Sequence, residues 1–346
     1  MTGSRRLFLI WMYAPDYPGW SIPPESITAI EEALGAGWIV RSLEIPAHAS
    51  GDGAVDIPGE LLDLIGDAEV YCGFGIPRQA FLAARRLRWI HSGAAGVGGS
   101  LFPELRESDV VLTNSAGTYA ESMAEHVLAM MFFFSRGLDV ATAGRKEGRW
   151  THARLAGQGG LVTELGGLTL GIVGYGRIGQ GLARRAKALG MTVRAIRRTH
   201  GGLPPELDLL AGPEGLPELL SGSDFVVLTI PETSETRQLI GAQQLAIMHP
   251  GSVLINVARG GVIDEQALID ALTERRLRGA GLDVFAREPL SADSPLWKME
   301  NVLVTPHIGG VSPEFWGRET DLIVRNIRRY LGGKGLENEV RKELGY

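Results

Sequence analysis

Short apolar runs alternate with amphipathic stretches in the first part of the chain. The runs LFLIWMY, WIVRSLEI, AEVYCGFG, RWIHSG and VVLTN are accompanied by helical patterns over 24–35 and 77–87. Strands that alternate with helices are typical of βα units on a parallel sheet. A glycine-rich loop, GAAGVGG at 93–99, lies between the last two runs. This part of the chain is therefore predicted to form an α/β domain.

A long helix is predicted next, over about 118–137, and the irregular, glycine-rich segment 144–167 is expected to form an extended arm. A second α/β rhythm begins at Leu168. Its six apolar runs, TLGIVGYG, MTVRAIRR, FVVLTIP, SVLINVA, AGLDVF and NVLVTPH, predict a complete doubly wound sheet. An amphipathic helix at about 313–331 and a polar tail follow. The pattern thus predicts an α/β fold with two doubly wound, parallel-sheet domains.

Composition narrows the class of protein. The 346 residues include 34 basic and 40 acidic side chains, for a net charge of −6, which excludes a disordered chain and argues against binding nucleic acid through overall charge. No apolar run reaches the roughly 20 residues needed to cross a bilayer, and the run at 7–13 favours a buried first strand over a signal peptide. The single cysteine, Cys72, excludes an internal disulfide and fits the cytoplasm.

The clearest motif is a glycine loop between a strand and a helix. Gly174, Gly176 and Gly179 form GxGxxG directly after an apolar strand, which is the order that a dinucleotide-binding loop requires. The first glycine permits a tight turn, the second admits the pyrophosphate and the third lets helix and strand pack closely. The phosphates are expected on the N–H groups around Arg177 and Ile178, at the helix N-terminus.

The end of the next strand bears on the choice of dinucleotide. It carries Arg197, Arg198 and Thr199, and no acidic residue occurs between Gly179 and Glu206 that could bind a ribose 2′-hydroxyl. Two guanidinium groups suit a phosphomonoester. NADP(H) is therefore the expected cofactor, with NAD(H) possible. The alternative, two solvated surface arginines, stays open.

Three polar side chains follow apolar strands of the second sheet. Arg259 follows VLINVA, Glu288 follows GLDVFAR and His307 follows VLVTP. Each alone has an ordinary structural explanation, but ligands of parallel sheets bind at the carboxyl ends of the strands. Together the three supply a cation for a substrate carboxylate, a proton donor and acceptor, and a carboxylate that tunes the histidine. The other histidines show no ligand spacing, so no metal is predicted.

The motifs NVARGGVIDEQAL, GLDVFAREPL, TPHIGG and GIVGYGRIG resemble those of the D-isomer-specific 2-hydroxyacid dehydrogenase family. The resemblance covers nearly the whole chain and includes NSAGTYAESMAEHVL and the tail LENEVRKELGY. It implies that Arg259 orients the substrate, that His307 is the acid and base, and that Glu288 is its partner. Within the family, an activity like that of glyoxylate or hydroxypyruvate reductases, or reduction of a related 2-oxo acid, is expected.

The resemblance implies further site residues. Asp283 is expected to contact the nicotinamide carboxamide, and the loop amides of Ala95 and Gly96 are expected to hold the substrate carboxylate. Further cofactor contacts are implied at Pro231, Val257 and Gly309, and further substrate contacts at Phe74, Gly75 and Trp297. The chain departs from the family pattern at Gly98, where Asp is common, and at the arginine pair that replaces the ribose-binding acid.

The resemblance also implies a domain order. A cofactor domain at 118–306 is inserted into a substrate domain made of 1–117 and 307–346, with hinges near Gly117 and Ile308. A homodimer is expected to form through the cofactor domain, with the arm reaching the partner. Trp150 in that arm either lines the partner's pocket or anchors the arm to its own subunit.

The implied reaction is hydride transfer to the carbonyl carbon of a 2-oxo acid, while His307 protonates the alkoxide and Glu288 keeps the imidazole protonated. Formate dehydrogenase activity is disfavoured because it goes with Gln in place of Glu288. Phosphoglycerate dehydrogenase is less attractive, because no basic cluster for a phosphate is evident and the chain ends without a regulatory domain. A dinucleotide-sensing corepressor, which binds protein partners, remains an alternative.

Overall fold

A computed structural model describes residues 6–47, 57–157, 160–199 and 201–345. The chain divides into two compact units, each of which contains one parallel sheet. The first unit combines Met1–Tyr119 with Val311–Tyr346, and the second unit, Ala120–Gly310, is inserted between these two segments. The prediction of two α/β, Rossmann-like units is confirmed.

The first unit has a five-stranded sheet in the order β2-β1-β3-β4-β5. With all elements numbered in chain order, its strands are β1 (Arg6–Trp11), β2 (Trp38–Ser42), β3 (Ala68–Gly73), β4 (Trp89–Ser92) and β5 (Val111–Asn114). Its helices are α1 (Pro24–Leu34), α2 (Gly59–Ile65), α3 (Arg78–Ala83), α4 (Pro103–Arg106) and α12 (Phe315–Leu331). Helix α3 is shorter than the pattern over 77–87 predicts, because Ala84 already has an extended backbone.

Strand β1 is apolar from Leu7 to Trp11 because helices cover both faces of the sheet. Phe8 and Ile10 pack in one buried cluster with Ile323 and Ile327 of α12, whereas Leu9 belongs to the cluster on the other face. Successive side chains of a strand point to opposite faces, so a strand covered on both sides needs a continuous apolar run. The run LFLIW meets this requirement.

The second unit has a seven-stranded parallel sheet in the order β12-β11-β10-β9-β6-β7-β8. Its strands are β6 (Thr169–Val173), β7 (Thr192–Ile196), β8 (Leu209–Ala211), β9 (Phe225–Leu228), β10 (Val253–Asn256), β11 (Gly279–Leu282) and β12 (Val302–Val304). The expectation of six strands is wrong by one. Strand β8 has only three residues, all half-buried at the sheet edge, so its sequence lacks the apolar run of a central strand.

The helices of the second unit are α5 (Ala120–Ser135), α6 (Leu138–Lys146), α7 (His152–Ala156), α8 (Arg177–Ala188), α9 (Leu216–Ser221), α10 (Ala242–Ile247) and α11 (Glu265–Thr273). The segment 144–167 is therefore not simply an extended arm, since it contains the end of α6 and all of α7. Within the described ranges no single helix is long and apolar enough to span a membrane, although α5 and α6 together pass that test across a bend of 69°.

Strand order reverses direction between β6 and β9 in the second sheet. Crossovers run outward to β7 and β8 on one side of this point and outward to β10, β11 and β12 on the other. Loops that leave the two neighbouring strands therefore separate at their carboxyl ends, and a crevice opens there. The glycine loop follows β6, so it lies at this crevice.

Candidate active site

Two of the predicted catalytic side chains meet at the carboxyl edge of the seven-stranded sheet. Nδ1 of His307, which follows β12, lies 2.7 Å from Oε2 of Glu288, which follows β11. The other carboxylate oxygen of Glu288 accepts a hydrogen bond of 3.0 Å from the backbone N–H of Phe285. The imidazole side chain remains 43% exposed. Its Nε2 is therefore the atom that can exchange a proton with a substrate.

The electrostatics of this pair favour an ionised carboxylate. Burial alone would raise the pKa of Glu288. Hydrogen bonds from His307 and from the N–H of Phe285, together with the charge of Arg259, hold the pKa of Glu288 below its ordinary value. Glu288 therefore faces Nδ1 of the imidazole as a charged hydrogen-bond partner.

Arg259 is positioned by close approach of two backbone segments. A Cβ at the next residue, Gly260, would lie 1.8 Å from the carbonyl carbon of Phe285, so only glycine lets the loop after β10 pass the turn that carries Glu288. One guanidinium nitrogen of Arg259 donates to the carbonyl of Ala258 at 2.8 Å. The guanidinium therefore lies close enough for its charge to act on Glu288.

The backbone of His307 is held in an uncommon conformation. Its φ is +54°, in the left-handed region that few residues with a side chain adopt. Its N–H donates to the carbonyl of Asp283 at 2.9 Å. Strain of this kind persists only where surrounding contacts fix it, and such positions cluster at functional sites.

Asp283 supplies most of those contacts. Its Oδ1 accepts hydrogen bonds from the hydroxyl of Thr305 at 2.6 Å and from the N–H of Ile308 at 2.9 Å, and its Oδ2 accepts one from the N–H of Gly309 at 2.9 Å. Burial alone would raise the pKa of Asp283, but these bonds and one from His126 lower it, so the group is ionised. Asp283 is only 1% exposed. It therefore anchors the turn that carries His307, a role that the sequence did not reveal.

The glycine loop has the geometry that its motif predicts. Gly174 has a φ of +106°, and a Cβ there would lie 2.6 Å from Cγ2 of Ile230. A Cβ at Gly179 would lie 2.6 Å from the carbonyl oxygen of Gly174, so helix α8 packs closely on the loop. Nothing lies within 4 Å of the corresponding position at Gly176, and this open side is where a pyrophosphate can approach. Helix α8 begins at Arg177, so its first N–H groups face the same side.

The surroundings of Arg197 and Arg198, after β7, indicate whether these side chains suit a bound anion such as a 2′-phosphate. Among the described residues, the buried Nε of Arg197 has no hydrogen-bond partner. An unsatisfied buried donor is costly, and a bound anion would remove that cost. Arg198 instead pairs with Glu235 at 3.0 Å. Thr199 is exposed at the end of the same segment.

Two acidic side chains near this site were missed by sequence reasoning. Glu206 accepts a hydrogen bond from the hydroxyl of Tyr175, inside the glycine loop, and Glu235 pairs with Arg198. The Tyr175 hydroxyl lowers the pKa of Glu206. Glu206 lies just beyond the stretch after Gly179 that lacks acidic residues, and Glu235 lies in the loop after β9, so the sequence pattern around Arg198 did not place either acid here.

The remaining predicted cofactor residues follow strands of the same sheet. Pro231 is exposed shortly after β9, and Val257, directly after β10, is 3% exposed. Gly309 donates its N–H to Asp283, and a Cβ there would lie 2.9 Å from the same carboxylate oxygen. A side chain at Gly309 would therefore disturb the turn.

The predicted substrate residues of the first unit follow β3 and β4. Phe74 is 6% exposed and packs edge-on against Trp20, with ring centroids 6.5 Å apart. Gly75 has a φ of +95°, which favours glycine. In the loop after β4, Ala95 is exposed and Gly96 is half-buried.

Two tryptophans of the second unit differ in how they are held. Trp297 is 50% exposed, and its indole N–H donates to the carbonyl of Ser291 at 2.9 Å. Trp150 is 91% exposed. The interpretation of Trp150 as an anchor to its own subunit is therefore wrong, because so exposed a ring is not packed against the described part of the chain.

A glycine loop that opens a helix, and an acid and base pair at the same edge of the sheet, define the class of protein. It is a dehydrogenase that uses a nicotinamide dinucleotide. Comparison with known proteins gives the family.

The family model for the NAD-binding domain of D-isomer specific 2-hydroxyacid dehydrogenases matches residues 128–309. Glyoxylate reductase of Pyrococcus furiosus is 33% identical over 326 residues, which are 94% of each chain. D-3-Phosphoglycerate dehydrogenase of Methanocaldococcus jannaschii is 36% identical over 287 residues, 81% of this chain, but the match spans only 53% of that relative.

A crystal structure gives the same result. The D-isomer specific 2-hydroxyacid dehydrogenase of Xanthobacter autotrophicus, in complex with NADPH and MES, superposes with a TM-score of 0.79 and 32% sequence identity, covering 98% of this chain and 99% of that one. The chain belongs to the D-isomer specific 2-hydroxyacid dehydrogenase family, as its motifs predict.

Proposed function

We propose that the protein reduces a small, unphosphorylated 2-oxo acid, such as glyoxylate or hydroxypyruvate, to the D-2-hydroxy acid, with NADPH preferred over NADH. The observation that carries this proposal is the hydrogen bond between His307 and Glu288, beside the charge of Arg259. These groups match what reduction of a 2-oxo acid requires: a proton donor, a carboxylate that keeps it charged, and a cation for the substrate.

In this mechanism Arg259 binds the substrate carboxylate and polarises the carbonyl group. The imidazolium of His307, held through Nδ1 by Glu288, donates its Nε2 proton to the carbonyl oxygen as negative charge develops there. A dinucleotide held by the glycine loop at Gly174, Gly176 and Gly179 would supply the hydride for reduction of the carbonyl carbon. Glu288 stays ionised throughout and stabilises the charged imidazole before the proton leaves. The amides of Ala95 and Gly96 are further ligands for the carboxylate.

The cofactor preference is supported by Arg197, whose buried Nε lacks a partner within the described residues. A 2′-phosphate beside it would accept a charge-assisted hydrogen bond. Replacing Arg197 and Arg198 by Asp and Ser should weaken NADPH more than NADH. A lower Michaelis constant for NADH than for NADPH in the unaltered enzyme would contradict the preference.

The preference for a small substrate rests on the chemistry of the predicted pocket residues. Phe74, Gly75, Ala95, Gly96 and Trp297 carry no cation that could bind a phosphate. Apolar contacts discriminate one methylene by only about 1–3 kcal/mol, so several short 2-oxo acids should react with efficiencies within about a hundredfold of each other.

A substrate panel tests the whole proposal. Turnover of glyoxylate, hydroxypyruvate, pyruvate and phosphohydroxypyruvate should be measured with NADPH and with NADH, and compared with a His307→Ala control. A clear preference for the phosphorylated acid would favour phosphoglycerate dehydrogenase activity. Rates no better than those of the control on every substrate would favour a dinucleotide-sensing binding protein.

We also expect a homodimer that works in the cytoplasm. Support for the dimer is the exposure of large apolar side chains on neighbouring segments of the second unit, 91% for Trp150 and 46% for Leu138, because a partner surface would cover them. Light scattering on the purified protein tests the dimer. Support for the location is the single cysteine, Cys72, which is buried.

A further inference from the structure

The loop after β4 is held in place through its carbonyl groups. The hydroxyl of Tyr119 donates to the carbonyl of Gly93, and the N–H of Ser115 donates to that of Ala94 at 3.4 Å. Nδ2 of Asn114, the last residue of β5, donates to the carbonyl of Ala95 at 2.8 Å. Three consecutive carbonyls therefore face the segment that follows β5.

The amides of the same peptide groups face the other way. A peptide unit is planar and trans, so its N–H points opposite to its carbonyl. The hydrogen bond from Asn114 to the carbonyl of Ala95 thus sets the direction of the Gly96 N–H. The hydrogen bond from the N–H of Ser115 to the carbonyl of Ala94 sets the direction of the Ala95 N–H in the same way. Among the described residues neither amide has an acceptor. Adjacent unpaired amides form a concavity that suits an anion.

Asn114 is itself rigidly placed. The side chain is 6% exposed, and its Oδ1 accepts the N–H of Ala116 at 3.1 Å. The backbone N–H donates to the carbonyl of Asn338 at 3.1 Å, and Nδ2 of Asn338 returns a hydrogen bond of 3.1 Å to the carbonyl of Asn114. Both ends of the carboxamide and both backbone groups are therefore engaged, so Asn114 has one orientation available.

We propose that Asn114 is a positioning residue for substrate binding, which acts by turning the amides of Ala95 and Gly96 toward the substrate carboxylate. This inference rests on the proposed function, because it assumes that these amides hold the carboxylate. Asn114 does not touch the substrate. It sets the affinity for the carboxylate through the peptide group of Ala95 and Gly96.

The main test is Asn114→Asp, which keeps the shape and the Oδ1 acceptor but cannot donate to Ala95 and sets a negative charge against that carbonyl. The KM for glyoxylate and the inhibition constant of oxamate, a carboxylate analogue, should each rise about tenfold, since loss of one oriented hydrogen bond has an effect of this order. The KM for NADPH and the pH profile of kcat should not change, because Asn114 belongs to the first unit, whereas the dinucleotide loop and the His307 turn belong to the second.

A second variant guards against a failure to fold. Asn114→Ser removes the Nδ2 donor that reaches Ala95 without adding charge, and the shorter side chain keeps a hydroxyl that can accept the N–H of Ala116. The matched control is Asn326→Asp, because Asn326 is also buried and its Nδ2 also donates to a carbonyl, that of Glu337 at 3.0 Å, outside the loop. The control should lower the melting temperature but leave the KM for glyoxylate unchanged.

A readout that does not need catalysis separates this inference from the proposed function. In the 93–99 peptide the amide of Gly93 donates to the carbonyl of Gly73 at 2.8 Å and that of Ala94 donates to the hydroxyl of Ser92 at 3.2 Å. Hydrogen exchange of these protected amides should become about tenfold faster in both Asn114 variants and stay unchanged in Asn326→Asp. If the unaltered protein reduces no 2-oxo acid, the proposed function fails and the exchange rates alone decide the inference. Unchanged exchange of this peptide, or an equal rise in KM in the Asn326 control, would overturn it.

Discussion

The loop at 93–99 in the first unit and the turn at 305–309 in the second are built by opposite use of the peptide group. In the first loop, the carbonyl groups accept hydrogen bonds from neighbouring residues, and the amides of Ala95 and Gly96 point to the other side, where they can donate to an anion. In the second, the Asp283 carboxylate takes the amides of Ile308 and Gly309. The first arrangement offers backbone donors for an anion, and the second offers one side chain.

The residue that anchors each segment matches the groups it must hold. Carbonyls need a hydrogen-bond donor, and Asn114 supplies one to Ala95 without placing a charge in the interior. Amides need an acceptor, and an ionised carboxylate is a strong one because charge-assisted hydrogen bonds are about twice as strong as neutral ones. The stronger anchor holds the segment with the left-handed residue, His307, whose conformation costs of order 1–3 kcal/mol.

The largest expected effect comes from the side chain that the turn presents. His307→Ala should lower kcat by roughly 10²–10⁴, the usual contribution of a positioned acid and base. His307→Asn is the matched variant, because asparagine tolerates the left-handed backbone while it cannot deliver the proton. Rate measurements with saturating NADPH should give similar losses for both. A small loss for either would remove His307 from its assigned role.

The next effect tests the anchor of the turn. Asp283→Asn places an NH₂ group against backbone amides, so buried donors lose acceptors and the free energy of unfolding should fall by about 1–3 kcal/mol. The pKa of Asp283 is lower in the folded protein than in the unfolded chain. The stabilisation of the folded protein by the ionised Asp283 carboxylate is therefore complete at pH values above about 4, the pKa of aspartate in the unfolded chain. This stabilisation is lost as the pH falls through the lower pKa of the folded protein.

Denaturation of both proteins at pH 7 and at pH 3 checks this sign. The difference between the unaltered protein and Asp283→Asn should be larger at pH 7 than at pH 3. A difference that is the same at both pH values would mean that the carboxylate charge does not stabilise the turn.

The sequence predicts those parts of the molecule that depend on short, regular patterns. Apolar runs located eleven of the twelve strands, and only the three-residue edge strand β8 escaped because burial imposes no pattern on it. The glycine loop was predictable because its three glycines fall close together in the sequence, directly between an apolar strand and a helix.

Contacts between distant residues were not predictable in this way. Asp283 was expected to contact a cofactor, and its engagement of the turn after β12 depends on how β11 and β12 pair in the sheet. Likewise, Glu235 reaches Arg198 only because the loops after β7 and β9 approach each other. Such contacts become visible when the register of the sheet is known.

A subtler change tests the partner of His307. Glu288→Gln removes the negative charge that stabilises the imidazolium, so the proton donor for reduction should be lost at a lower pH. The pKa of Glu288 lies below its ordinary value because of the reciprocal interaction with His307 and Arg259, although burial opposes it. The pH profile of kcat for glyoxylate reduction should therefore shift toward acid. A profile that does not move would exclude Glu288 from this role.

The smallest expected effect concerns Arg198, because its partner Glu235 is exposed. Glu235 is 70% exposed and its partner Arg198 is 41% exposed, and exposed pairs of this kind contribute only about 0.2–1 kcal/mol. Glu235→Gln releases Arg198 from this pair and removes a negative charge near the proposed 2′-phosphate, so the preference for NADPH over NADH should rise roughly two- to fivefold. Glu232→Gln is the control, because Glu232 lies in the same loop but pairs with Arg237. An unchanged ratio of the two cofactor efficiencies in Glu235→Gln, or an equal change in the control, would show that Arg198 takes no part in the choice and leave Arg197 as the residue to test.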